Sequence, residues 1–471
     1  MKRAIVSAVA ALALAGCMVG PNYRSPEPGA PSQDPFFSAK SPAFTQDQPP
    51  GRWWSLFNDP VLDSLVEEAL RNNTDLRVAA ANLHRARAVL RETRSGLFPT
   101  ATANASATYS RQSGDQLQFQ GSASQGESYD AGIDASYQVD LFGRIRRAIQ
   151  ASRADVGAAQ AAFDVSRITV AAETARAYAD ACSAGRQLAV ARETVRIQEQ
   201  TFDLTRRLQE GGRATALETG QAGSLLEQVR ATLPTLEAQR QTALFRLSVM
   251  TGRPPASFPR EVAACDTAPA LARPIPVGDG ATLLSRRPDV RQAERELAAS
   301  TARVGVATAS LYPSITLGGS VGTSATSLSG LGSGDSFRFS LGPLISWDLS
   351  SLFVGRSRIA QAEADAEGKL ASFEGTWLRA LEETESALTR YANELDRREA
   401  LRRARAHAAE AARIARLRYQ YGRDSFQIVL DAERSLADSD AALAQSDAQL
   451  SDHLVTLFLA LGGGWQEPPA A

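Results

Sequence analysis

Lysine, histidine and cysteine are scarce in this 471-residue chain, with three of each. The 51 basic side chains are balanced by 52 acidic ones, and the formal charge of −1 excludes nucleic-acid binding driven by bulk charge. Three cysteines exclude a disulfide-rich scaffold and a cysteine-rich metal site. The histidines each stand alone on a polar helical stretch, which argues against a metal or general-base site: His84, His407 and His453. We therefore expect no catalytic residues, no metal and no cofactor, and predict that the protein is not an enzyme.

Long apolar runs are also missing, since no stretch of 18 apolar residues follows the N-terminal segment. The basic residues Lys2 and Arg3 and a short apolar run predict a signal peptide over residues 1–16. That run ends in Leu14-Ala15-Gly16-Cys17, which resembles the bacterial lipoprotein cleavage box. We expect Cys17 to carry a covalent lipid, the alternative being an ordinary signal peptide with an incidental cysteine. Residues 17–58 are predicted to be an extended leader, and Met18 after the cysteine is compatible with passage to the outer membrane.

The chain contains an internal repeat. Asp75 and Asp289 begin similar helical patterns 214 residues apart, and Gly212 and Gly422 lie 210 apart in similar contexts. We predict tandem structural repeats over 59–252 and 279–464, a Pro-rich linker over 253–278 and a tail over 465–471. Predicted helices lie near 60–97, 143–210, 214–250, 279–311, 355–421 and 424–461.

Alternating apolar and polar residues predict two strands in each repeat, within 99–142 and 313–350. The alternating runs match the roughly 9–11 residues that a tilted membrane strand needs. A soluble sandwich with one wet face is the alternative, but no other strands are available to cover the apolar face. Aromatic residues suit interfacial girdles: Tyr109, Tyr129, Tyr137 and Trp347. The polar row suits a water-filled barrel lumen: Asp130, Asp134, Asp140 and Asp348.

Four strands cannot close a barrel, and open strand edges in lipid leave backbone groups unsatisfied. Two copies would give a barrel too narrow for a channel, whereas three would enclose a modest lumen, so a homotrimer is predicted. The long Ala-rich, polar helices favour a hollow helical wall, although a conventional coiled coil has the same signature. The predicted fold class is thus mixed α and transmembrane β.

A set of short motifs occurs in order along the chain: Cys17…Pro21-Asn22-Tyr23…Pro26, Trp53–Phe57, Val139–Gly143, Arg286–Asp289, Val429–Leu436 and Ala460–Trp465. Together they resemble the outer membrane factor lipoproteins of tripartite RND-type efflux systems, the NodT family. The resemblance covers essentially the whole mature chain. It implies a trimeric 12-stranded outer-membrane β-barrel continuous with a 12-helix periplasmic α-barrel. It also implies three partners besides outer-membrane lipid: further copies of the chain, a periplasmic adaptor (membrane fusion) protein and an inner-membrane RND-type transporter.

The resemblance also implies a gate at the helix–turn–helix tips near 210–216 and 421–426. Charged side chains ring the closed aperture in similar proteins, and the matching positions are Asp431 and Arg434. The first hairpin offers Gln221 at the position that matches Asp431, so asymmetric gating is expected. The tips are predicted to dock the adaptor through Gly211, Gly212, Arg213, Gly422 and Arg423, with all three glycines allowing positive φ and Gly211 as an extra turn residue.

The cargo is not encoded in these patterns. The favoured function is an exit duct for drugs or other small molecules, metal ions included. The alternatives are a protein-secretion duct of type I and a structural lipoprotein without a channel. Cys182 and Cys265 are expected to be buried or incidental thiols without a role.

Overall fold

The computed structural model describes residues 18–26, 35–111, 125–269, 271, 273–348 and 351–463. The chain folds into two compact units. The sheet unit consists of the described residues of Met1–Pro26, Asn82–Ala159 and Gln292–Phe373. The helical unit consists of those of Glu27–Ala81, Gln160–Arg291 and Glu374–Ala471. Each unit takes segments from both predicted repeats, so the compact units and the repeats are different divisions of the chain.

The described residues form six strands and ten α-helices, numbered in chain order. The strands are β1 (Phe44–Thr45), β2 (Thr100–Arg111), β3 (Gln125–Val139), β4 (Ile275–Pro276), β5 (Ser314–Ala325) and β6 (Phe337–Ser346). The helices are α1 (Pro60–Asn72), α2 (Thr74–Ser95), α3 (Arg144–Glu210), α4 (Ala216–Arg230), α5 (Thr232–Met250), α6 (Arg260–Ala263), α7 (Gly280–Arg286), α8 (Pro288–Ala309), α9 (Ser351–Gln420) and α10 (Phe426–Ala460).

The sheet unit contains an antiparallel four-stranded sheet in the order β2-β3-β5-β6. Its register brings the apolar rows onto one face: Ile133 pairs with Val321, which pairs with Phe339. This face is bare, with Phe339 76% and Leu341 85% exposed. Among the described residues the only other strand pairing is the two-residue ladder β1–β4. No second sheet is therefore described that would cover the apolar face as the core of a soluble sandwich.

The polar row of the sheet is shorter than predicted. Asp130 lies 3.7 Å from Arg338, and Asp134 accepts a 2.7 Å hydrogen bond from Asn104. The strand position predicted for Asp140 is wrong, because β3 ends at Val139 and the Asp140 carboxylate accepts the N–H groups of Ile145 and Arg146 at 3.0 Å. A carboxylate at this place stabilises the start of α3.

Asp348 is likewise outside the strand to which it was assigned, since β6 ends at Ser346 and Asp348 is exposed beyond it. The alternation in the sequence continues through this residue, but the ladder with β5 stops before it. The predicted lumen row is thus placed on the sheet only for Asp130 and Asp134.

The long helices α3 and α9 contain 67 and 70 residues, and α9 begins four residues before the predicted start. Three of the shorter helices predicted as continuous are interrupted, at Asn73, Ala231 and Arg287. At Asn73 the side chain accepts the N–H groups of Asp75 and Leu76, which caps the new helix α2. At Arg287 the following Pro288 disfavours helical backbone. Among the described helices, none is both long and apolar enough to span a membrane.

The main hydrophobic core belongs to the helical unit. Trp53 is fully buried and stacks on Phe458 with ring centroids 4.8 Å apart. Phe36 and Phe44 from the predicted leader are buried in the same core. The aromatic cluster at the end of the leader therefore anchors it to the helices.

Cys182 and Cys265 form a disulfide, so the expectation that they are free thiols is wrong. Cys182 lies in α3 and is fully buried, whereas Cys265 lies in the Pro-rich linker. The bond links positions 83 residues apart and ties an irregular segment to a long helix. A crosslink over such a loop stabilises a fold by typically about 2–4 kcal/mol.

A substitution at Val321 tests whether the apolar face of the sheet contacts lipid. We expect Val321→Arg to reduce assembly strongly, because an arginine facing lipid near mid-membrane costs about 2–4 kcal/mol. The measurement is the amount of heat-modifiable protein in the outer-membrane fraction. Ser320→Arg is the matched control, since Ser320 is the adjacent residue on the polar face. Equal losses in both variants would contradict a lipid-facing apolar row.

Candidate functional site

The first helix–turn–helix tip joins α3 to α4 through a Schellman motif. Gly212 has φ of +71°, its N–H donates to the carbonyl of Gln209, and the N–H of Arg213 donates to that of Leu208 at 2.7 Å. The next helix starts with a capping box between Thr215 and Glu218. The turn is thus held entirely by local hydrogen bonds.

The second tip joins α9 to α10 through the same motif. Gly422 has φ of +66°, its N–H donates to the carbonyl of Tyr419, and the N–H of Arg423 donates to that of Arg418 at 2.9 Å. Here the side chain of Ser425 makes no capping hydrogen bond to α10. An exposed Arg418 instead pairs with Asp424 at 2.7 Å across the turn.

Gly211 is not an extra turn residue. The two motifs superpose position by position in sequence, with Gly211 standing where Tyr421 stands in the second tip. Positive φ occurs at Gly212 and Gly422 and not at Gly211, so that part of the prediction is wrong. Arg213 and Arg423 are exposed beside the glycines, where a partner can reach them.

A small hydrophobic cluster joins the two hairpins behind the tips. It contains Leu225 of α4 and Phe426 and Leu430 of α10, all at most 4% exposed. Tyr419 packs on Phe426 with ring centroids 5.3 Å apart, and burial raises the pKa of its hydroxyl. The hairpins are therefore packed together close to their turns.

Asp431 and Arg434 lie on the exposed surface of α10. The Asp431 carboxylate accepts a 3.1 Å hydrogen bond from Gln427, and among the described ion pairs none joins it to Arg434. Both residues line a shallow groove with Leu401 and Asp438. Gln221, the matching residue of the first hairpin, is half-buried on α4. The structure thus leaves both charged side chains accessible.

Glu433, between these two residues, was missed by the sequence analysis. Its side chain is 1% exposed, forms an ion pair with Arg416 of α9 and accepts a 3.3 Å hydrogen bond from Gln198 of α3. Because Arg416 is half-exposed and Glu433 is buried, loss of Arg416 would leave the buried carboxylate uncompensated and destabilise this contact. This contact joins three helices next to the predicted gate. The sequence signal for this contact is the position of Glu433 on the buried side of α10, next to an apolar residue.

Cys17 lies outside the described residues. The segment that follows it packs within the sheet unit, where Arg147 donates to the carbonyls of Val19 and Gly20 and to the side chain of Asn22. The Tyr23 hydroxyl donates to Glu294 at 2.8 Å, and burial together with this bond raises its pKa to about 12. The residues next to the predicted lipidation position are therefore fixed to the fold.

The outer membrane efflux protein family matches residues 65–253 and 281–463. The chain belongs to this family. OprJ, an outer membrane protein of Pseudomonas aeruginosa, is 33% identical over 461 residues, covering 97% of this chain and 95% of the relative. Nodulation protein T of Rhizobium leguminosarum is 30% identical over 456 residues, covering 96% of both chains. The solved structure of the outer-membrane channel OprN has a TM-score of 0.91 at 36% identity and covers 96% of this chain and 100% of its own.

Membership in this family confirms the predicted resemblance and the predicted function. The protein is an outer-membrane efflux duct with an extension into the periplasm. The family consists of membrane channel proteins rather than enzymes, and its members work with other components of an efflux pump. The helix tips described above are the candidate site at which such a duct is controlled.

A substitution at Gly422 tests whether the second turn requires a residue that readily adopts positive φ. We expect Gly422→Ala to destabilise the second turn by about 1 kcal/mol, because alanine resists the left-handed conformation. Hydrogen exchange of the Arg423 amide should accelerate by about fivefold. The control is Gly368→Ala within α9, the helix that precedes this turn, where an added Cβ meets open space and helix propensity predicts slight stabilisation. Unchanged exchange in Gly422→Ala would show that the turn tolerates a side chain.

Proposed function

We propose that three copies of the chain form a single duct. The four-stranded sheet supports this, because β2 and β6 are each paired on one side only among the described strands. Unpaired strand edges in lipid cost several kcal/mol for each unsatisfied backbone group. Three copies of four strands give a closed barrel of 12 strands, and the long helices with their shorter companions give a tunnel of 12 helices. The polar row with Asp130 and Asp134 then lines the barrel lumen.

Asp431 and Arg434 form the gate in this proposal. Their exposure and the absence of a bond between them in the described protomer leave both side chains available to neighbouring copies. Three copies of Asp431 around one axis form a ring of negative charge, which attracts cations and narrows the passage. The buried contact of Glu433 holds the helix that carries them.

The exposed tips are the docking place for a periplasmic adaptor, which connects the duct to an inner-membrane RND-type transporter. Gly211 and Gly212 keep the first turn free of bulky side chains, whereas Tyr421 is exposed at the second, and Arg213 and Arg423 offer positive charge at the two tips. A lipid on Cys17 anchors the leader in the outer membrane. The duct itself is passive and carries drugs, other small molecules or metal ions, with protein secretion as the alternative cargo class.

The trimer and its cargo class are tested together in a strain that lacks this protein. We expect the wild-type protein to migrate as a heat-modifiable trimer on unheated gels, and the deletion strain to accumulate more of a cationic fluorescent dye. An uncoupler should abolish the difference in dye accumulation, because export is energised at the inner membrane. A detergent-soluble monomer would exclude the shared barrel, and equal dye levels with a missing secreted protein would favour the secretion duct.

The gate is tested by conductance in planar bilayers. We expect Asp431→Ala combined with Arg434→Ala to raise single-channel conductance by at least about twofold, because the charged constriction is removed. The matched control is Glu193→Ala combined with Arg196→Ala, an exposed ion pair of the same i,i+3 spacing on α3. A conductance equal to that of the wild type would exclude the two residues from the gate.

A further inference from the structure

Each of the four junctions between the sheet and its flanking helices carries an aromatic side chain. This junction belt consists of Phe98, Phe142, Tyr312 and Trp347. Phe98 is 67% exposed and Trp347 50%, and Trp347 continues the apolar row of β6. Phe142 and Tyr312 stack at 4.5 Å between ring centroids, and the Trp347 indole donates to the carbonyl of Leu311. Aromatic residues at the ends of membrane strands are typical of the membrane–water interface.

Three exposed arginines follow the belt at the starts of the two long helices. These junction arginines are Arg144, the first residue of α3, and Arg356 and Arg358, the sixth and eighth residues of α9. Within the described part of the chain no hydrogen bond or ion pair involves their guanidinium groups. Other arginines of the same unit are paired: Arg146 with Asp140, and Arg303 with Asp155 at 2.7 Å. The junction arginines are therefore uncompensated within the described unit, as are Arg91 and Arg94 of α2, and what distinguishes them is their place at the starts of the two long helices.

With the sheet in the membrane as proposed, the guanidinium groups of the junction arginines lie within side-chain reach of the lipid headgroups. At 1.5 Å per residue, Arg358 is about 10 Å along α9 from its start. The headgroup region extends roughly 5–7 Å beyond the hydrocarbon core, and a long arginine side chain reaches back toward it. An arginine beside an aromatic belt therefore meets the phosphate layer of the leaflet on the helix side of the sheet.

We propose that the junction arginines and the junction belt form a docking surface for anionic phospholipids of the periplasmic leaflet. The inference rests on the membrane-inserted sheet of the proposed function. Lipid phosphate fits better than free phosphate, because the arginines lie open on two helices and the belt next to them offers apolar contact for acyl chains. Each basic residue near an anionic surface contributes a favourable interaction that adds to the others.

The test measures lipid retention by the full-length protein in neutral detergent. Native mass spectrometry would compare bound phosphatidylglycerol with bound phosphatidylethanolamine, each supplied separately. We expect a preference for phosphatidylglycerol that falls by about tenfold or more in the variant Arg144→Gln, Arg356→Gln, Arg358→Gln. The corresponding Arg→Lys variant should keep the preference, because charge is preserved. The control carries Arg77→Gln, Arg186→Gln and Arg207→Gln, three exposed arginines of the helical unit.

The outcomes separate this inference from the function on which it rests. A protein that inserts into phosphatidylcholine nanodiscs and shows no preference for phosphatidylglycerol overturns the docking surface alone. Failure to insert overturns both the docking surface and the shared barrel. Equal loss of preference in the control variant would show a general charge effect and overturn the assignment to the junction arginines. Full competition by inorganic phosphate at equal concentration would show that the site binds free phosphate, and would overturn the assignment to lipid.

Discussion

Backbone hydrogen bonding at the two edges of the sheet is the constraint on which the rest of the molecule depends. Strands of 10 to 15 residues with a bare apolar face suit a lipid environment, where an unpaired edge has no water to bind. The edges of β2 and β6 therefore call for partner strands that the described chain does not supply. The proposed assembly of three copies answers this deficit, because each edge strand then pairs with the edge strand of a neighbouring copy. The repeat doubles the two-stranded hairpin in each chain, so that in this proposal three copies supply all the strands of the barrel.

The helices are long but lack wide apolar faces, so they must pack by other means. Much of their packing uses small residues, such as the fully buried Ala171, Ala177 and Ala181 of α3. Buried polar contacts then fix the helices relative to one another within the helical unit, as Glu433 does with Arg416 and Gln198. Arg287 acts in the same way, bonding Asp289, Glu383 and the carbonyl of Ala460. Such contacts add little net stability, yet they penalise any register in which they are broken.

The sequence predicts those features that depend on local periodicity or spacing. Alternation locates all four strands of the sheet, and the 210-residue spacing identifies Gly212 and Gly422, the two residues that close the turns. Features that depend on tertiary contact are missed: the disulfide joins Cys182 to a linker cysteine that no pattern connects with it. Asp140 fits the alternation of β3, but its carboxylate is drawn to the unsatisfied N–H groups at the start of α3. In the sequence Glu433 resembles an exposed charge on a polar helix, because its partner Arg416 comes beside it only in the folded structure.

The two tips share a turn but differ in what holds the helix that follows. In the first tip the capping box of Thr215 and Glu218 bonds backbone groups directly, which makes it insensitive to salt. In the second tip the side chain of Ser425 contributes no such bond, and the turn is instead bridged by the ion pair between the exposed Arg418 and the half-buried Asp424. The start of α10 therefore lacks the side-chain cap that α4 has, although Phe426 at its first position is buried in the cluster between the hairpins. Since α10 also carries Asp431 and Arg434, the proposed gate lies on the hairpin whose turn has no side-chain cap, and its position depends on the buried contact of Glu433 with Arg416 and Gln198.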